Sequence, residues 1–148
     1  MQSVVPAIFA IGFPVIWVAL SLFMSSVGGW AALAARYPDR NSERGPTYYL
    51  RSGAVGAVGY RSCLILRVCD NGLRMSVLFP FRIGHPPLFI PWDQFHNAEI
   101  AWFLFFPRID AYVGLPVVAS VSLPVWLRSH VPLDRSRKAE PPDAMDSR

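Results

Sequence analysis

Thirty-five residues at the start of the chain carry no charged side chain, and this limits the folds open to it more than anything else in the sequence. Within them "VVPAIFAIGFPVIWVALSLFMSSV", residues 4–27, is long enough for about 36 Å of α-helix against a hydrocarbon core of about 30 Å. A bilayer-crossing helix with some tilt is predicted. Pro6 falls near the helix start, where a missing N–H costs little, and Gly12 and Pro14 fall inside it, where membrane helices tolerate a kink. The competing reading is a cleaved signal peptide, with "ALA" at 32–34 resembling a cleavage site. No Lys or Arg precedes the apolar run, however, and the run far exceeds a normal h-region, so a retained helix is preferred.

Arg36, Arg40 and Arg44 follow the span, which by the positive-inside rule expects the N-terminus outside and the remainder in the cytoplasm. "GGWAALAARYPDR" is read as continuing the helix or bending it along the surface, up to residue 37. Trp30 and Tyr37 share one helical face and are expected in an interfacial aromatic belt. Arg36, Arg40, Arg44 and Arg51, if near the surface, would each add about 1 kcal/mol of attraction to anionic headgroups. A polar linker, residues 38–46, is expected next.

With 148 residues there is room for one compact domain beyond the span. The net charge of +4 is spread along the chain rather than clustered, so no nucleic-acid partner is expected. Thirteen of the 14 basic residues are arginine, which fits a GC-rich genome and, more sharply, phosphate recognition. Cys63 and Cys69 on one extended strand would stand about 20 Å apart, beyond disulfide reach, and two free thiols fit a reducing compartment.

Residues 47–133 read as a small antiparallel β-domain, a sandwich or partly open barrel of five or six strands. Asn71-Gly72 is the dipeptide most favoured in a two-residue type I′ turn, and pairing across it sets Val68 opposite Met75, Leu66 opposite Val77 and Leu64 opposite Phe79, all apolar. "GAVGAVG" before it opens into a strand rather than a helix, so it is read as a flexible connector and not a phosphate-binding loop. "PLFIPW", "EIAWFLFFPRI" and "YVGLPVVASVSL" follow as further strands. Because "IAWFLFF" is apolar on both faces, it is either a covered central strand or a face resting on a membrane or partner. "SLPVWLRSH" is expected to close the sheet as a short helix with Ser122 as N-cap. Residues 134–148 lack apolar periodicity and are expected to be disordered.

His85, His96 and His130 have no carboxylate or cysteine at ligand spacing, so neither a metal site nor a cofactor is implied. No GxSxG elbow is present. "GHPPLFIPW", residues 84–92, is the most unusual stretch. Pro86, Pro87 and Pro91 stiffen the run around Leu88, Phe89 and Ile90, which makes an edge-type strand, with Asp93 capping the following turn. Two readings stay open. The stretch is a structural clamp in which His85 bonds nearby backbone, or Arg82, His85, Trp92 and Asp93 line a recognition surface.

"GLRMSVLFPFRIGHPPLFIPWDQ", with the earlier "GWAALAARYP", resembles a group of small bacterial membrane-anchored proteins that share an apolar N-terminal helix and an "FR.GHPPL.IPW" core. The likeness covers about residues 28–130. It implies a tethered domain, and no activity comes with it. At fold level the strand series plus closing helix is similar to bacterial pleckstrin-homology-like domains, without transferable lipid-binding residues.

The functional expectation is a non-enzymatic, single-pass inner-membrane protein whose cytoplasmic β-domain binds a protein partner or scaffolds at the bilayer. Trp102, with Phe103, Phe105 and Phe106, is the candidate docking face, core packing being the plainer reading. The alternatives are a membrane-tethered enzyme using His85 or His96 with Asp93 as an acid–base pair, and an accessory subunit whose span packs against other helices.

Overall fold

The structure is a computed structural model, and it describes residues 4–39 and 43–133. The tail expected to be disordered, residues 134–148, and the candidate headgroup ligand Arg40 lie outside the described residues.

Helix α1 (Val4–Gly28) is the predicted span; it contains Pro14 and an 18-residue window of mean hydropathy 2.3. One N-terminal helix is therefore long and apolar enough to cross a membrane. It stops at Gly29, whose φ of 88° is open to glycine without a Cβ penalty. Helix α2 (Trp30–Arg36) then turns away from the α1 axis and packs on the sheet. Trp30 and Leu33 are fully buried and Tyr37 is buried behind them, at the i, i+3, i+7 spacing of one helical stripe. The stretch expected to lie along the membrane is thus core. Trp30 and Tyr37 are not an interfacial belt, because the sheet offers their apolar rings a dry face and their polar tips a partner.

Among the described residues seven strands follow: β1 (Thr47–Val55), β2 (Val58–Val68), β3 (Gly72–Val77), β4 (Leu88–Pro91), β5 (Phe95–Phe103), β6 (Phe106–Val113) and β7 (Ala119–Pro124). They form one antiparallel sheet in the order β4-β3-β2-β1-β7-β6-β5, curled into a half-barrel. Register shifts in β1 and between His96 and Glu99 accompany residues at positive φ, namely Leu50, Ser62 and Asn97, and such bulges bend a sheet. Both edges are covered in part: Pro38 bridges to Leu88 on β4, and Leu133 to Ala98 on β5.

The β2–β3 hairpin keeps the expected faces but not the expected register. Val68 pairs with Leu73, Leu66 with Met75 and Leu64 with Val77, two residues from the predicted partners. The turn centres on Asp70-Asn71, with the Cys69 N–H donating to Gly72 O at 2.9 Å. Gly72 serves space rather than turn geometry, since a Cβ there would meet the Ile90 carbonyl oxygen at 2.5 Å and the Phe89 ring at 2.7 Å. A similar correction applies to "GAVGAVG". It is the β1–β2 hairpin, not a connector, and Gly56 turns it at a φ of 56° with the Gly28 carbonyl close above.

"EIAWFLFFPRI" divides into β5 and β6 around Leu104 and Phe105, so β5 is an edge strand rather than a covered central one. Two short 3-10 segments complete the fold, η1 (Trp92–Gln94) and η2 (Val125–Ser129). Neither has a side-chain cap: Asp93 does not cap η1, and Ser122 sits inside β7, where its hydroxyl donates to Asp110 Oδ1 at 2.6 Å.

Candidate functional site

The last three turns of α1 do not stand free of the β-domain. Gly28 meets Val58, with room for no larger residue: an added Cβ would lie 2.8 Å from Val58 Cγ2. Ser21 and Ser25 are buried, and Trp17 stacks obliquely on Phe81 with ring centroids 5.3 Å apart. Trp17, Ser21, Ser25 and Gly28 recur at helical spacing on the face turned to the domain.

The loop between β3 and β4, residues 78–87, runs along this face. Its carbonyls are taken up by the helices: Trp17 Nε1 donates a long bond to Pro80 O at 3.5 Å, Ser21 Oγ donates to Ile83 O, and Trp30 Nε1 donates to Pro86 O at 2.9 Å. Irregular backbone packed against so apolar a helix needs such internal partners. Among the described residues, Ser25 Oγ is the buried side-chain polar atom left without one.

His85 is the centre of the junction. It is 3% exposed. Its Nδ1–H donates to Ile83 O at 3.0 Å, because a carbonyl can only accept, and that leaves Nε2 to accept from the Tyr60 hydroxyl at 2.9 Å. The rings of Trp30 and Tyr60 each stand edge-on to it at 5.4 Å. Burial favours neutral imidazole and lowers the His85 pKa, the Ile83 bond opposing in part. Burial also pushes Tyr60 up to about 12, with Cys63 adding to the rise.

The residues expected to line one recognition surface are not brought together. Arg82 is exposed in the 78–87 loop, whereas Trp92 and Asp93 follow Pro91, which pairs with Gly72 at the other end of β3. His85 is inside the core. Trp92 donates to Cys69 O at 3.0 Å and stacks on His130 at 5.3 Å; Asp93 is exposed. Among the described residues no hydrogen bond joins His85 or His96 to Asp93. Arg36 and Arg44 are exposed, and Arg36 lies 5.7 Å over the Tyr37 ring, whose hydroxyl donates to Gln94 Oε1 at 2.9 Å.

Trp102 is at the tip of the β5–β6 hairpin. From Trp102 to Phe106 every residue is exposed, Phe105 to 75%. Core packing of these side chains is thereby excluded within the described residues. The turn holds Leu104 at a φ of 56°, a conformation that costs an L-residue with a bulky side chain about 1–2 kcal/mol. Arg108 lies 5.7 Å over Phe103 and pairs with Asp110 at 3.0 Å, giving the apolar tip a polar collar.

A crevice of about 290 Å³ lies between α1 and β2, with Trp17, Leu20 and Met24 on one wall and Val58, Gly59, Arg61 and Cys63 on the other. His85, Tyr60 and Ser21 line it too, their polar atoms already engaged. Sequence reasoning missed Trp17, Ser21, Tyr60 and Arg61. The serines at i, i+4 inside an apolar span were the available signal, since polar residues in such a helix turn toward protein.

Comparison of the chain with protein-family models, with curated proteins and with solved structures gives no match.

Proposed function

We propose that this is a single-pass anchor protein of a bacterial inner membrane, non-enzymatic, whose cytoplasmic β-domain docks a protein partner through the β5–β6 tip and scaffolds it at the bilayer. The observation that carries the reading is the unbroken exposed run from Trp102 to Phe106, held by a strained turn. Exposed apolar patches of this kind mark interaction sites, and Trp with a nearby Arg is the usual anchor pair. Arg36 and Arg44 after the span, together with free Cys63 and Cys69, support the cytoplasmic placement.

The test places a photo-activatable amino acid at Phe105 in the full chain expressed in bacterial membranes. The expected result is one discrete protein adduct that disappears when Trp102 and Phe103 are changed to Ser. Adducts to lipid alone, or none, overturn the reading. Labelling of an engineered cysteine at Ser129 only after the inner membrane is permeabilised supports the orientation; labelling from the periplasm refutes it.

A further inference from the structure

We propose that the crevice between α1 and β2 is a binding site for a bilayer phospholipid, with an acyl chain laid along Trp17, Leu20 and Met24 and the phosphate held by Arg61. The proposal rests on the reading of α1 as a helix embedded in lipid.

Depth is the first argument. Contact between α1 and the domain begins at Trp17, so the free part of the helix, residues 4–16, is only about 20 Å long. A hydrocarbon core is about 30 Å thick. The remaining 10 Å or so must run past Trp17, which puts the crevice and the exposed Phe79 and Phe81 beside it at the level of acyl chains and headgroups. Lipid is then the solvent at the crevice mouth, and the lining continues the lipid-facing surface of Phe13, Ile16 and Leu20.

Chemistry is the second. The walls are apolar, and Ser21, Tyr60 and His85 have their hydrogen bonds directed at one another and at Ile83. Such a lining gives water few of the two to four partners it requires, while methylenes lose nothing there. The volume is near the lower end for ligand sites and too small for another helix, whose diameter is about 10 Å. Arg61 is exposed on the β2 wall and has no ion pair among the described residues. Guanidinium is the side chain best matched to phosphate oxygens. Gly59 adds no side chain to the β2 wall.

The experiment uses the full chain in nanodiscs of phosphatidylcholine and phosphatidylglycerol, each carrying a photo-activatable acyl chain in turn, with adducts mapped by peptide mass spectrometry. In the parent chain, adducts are expected on the crevice peptides around Met24 and Cys63 as well as on residues 4–16. Leu20→Trp, which fills the crevice from the helix side, should lower the crevice adducts at least five-fold and leave those on residues 4–16 unchanged. Met24→Trp, one turn further along the same wall, should do the same if Leu20→Trp fails to fold. Phosphatidylglycerol, which lacks the choline cation that competes with Arg61 for the phosphate, should label the crevice more strongly than phosphatidylcholine; Arg61→Gln should remove that difference while acyl labelling persists, and a difference that survives it overturns the phosphate contact. Labelling of residues 4–16 with none in the crevice, or crevice labelling indifferent to both filling substitutions, overturns the site and leaves the anchor standing. No labelling on residues 4–16 refutes both.

Discussion

The α1–sheet junction and the β5–β6 tip are both rich in aromatic residues, yet they solve opposite problems. At the junction Trp30, Tyr60 and His85 are buried, and each polar tip has a partner within 3.0 Å. At the tip Trp102, Phe103, Phe105 and Phe106 are exposed, and Trp102 has no hydrogen-bond partner among the described residues. The contrast teaches that an aromatic cluster with its polar groups satisfied internally is a joint, whereas one with none satisfied and a strained backbone beneath it is a surface.

Removing a ring tests this most forcefully. Trp30→Ala should cost about 3–5 kcal/mol in chemical unfolding followed in detergent, because it empties a fully enclosed site. Trp102→Ala should stay within about 0.5 kcal/mol of the parent. Equal losses would erase the distinction.

Acid should weaken the joint next. His85 has its pKa lowered in the fold, chiefly by burial, so below about pH 6.5 the unfolded chain takes up the proton more readily. The stabilisation is complete above that value and declines as the pH falls toward the folded pKa. Melting temperatures from pH 8 to pH 5 should therefore drop, and His85→Gln should flatten the slope. A slope unchanged by this substitution would assign the effect to another group.

Two smaller effects follow. Leu104→Gly should raise stability by about 1 kcal/mol by relieving the left-handed leucine, while lowering partner capture at the tip. Ser21→Ala should cost about 0.6 kcal/mol, the scale of a hydrogen bond inside a membrane protein. A gain on Ser21→Ala would mean that the 78–87 loop does not need the helix.

What could be read from the sequence follows where a single physical cause acted. The long apolar helix was legible because hydrophobic length alone announces it, and the inward faces of β2 and β3 because a two-residue shift preserves side-chain parity. The register itself was not, since Gly72 answers to the Phe89 ring and not to the turn. The β5–β6 turn escaped notice because its residues are Leu104 and Phe105, with none of the Gly, Asn or Pro that usually announce one. Trp30 and Tyr37 satisfy the pattern of an interfacial belt and of a core stripe equally well, and tertiary packing decided between them. The gathering of Arg82, His85, Trp92 and Asp93 into one surface was a sequence-neighbour argument, undone once β4 carried the chain from one end of β3 to the other.

The short helix after Gly29 has a consequence for reach. A flexible tether would let the β-domain sweep a volume above the membrane and meet partners at any angle, with an effective concentration set by tether length. Because Trp30 and Leu33 are locked into the sheet within five residues of Gly28, the chain has a bracket in place of a leash. On the proposed anchor, the hairpin would stand at one height and one azimuth, and a tilt of α1 would reach it as a displacement.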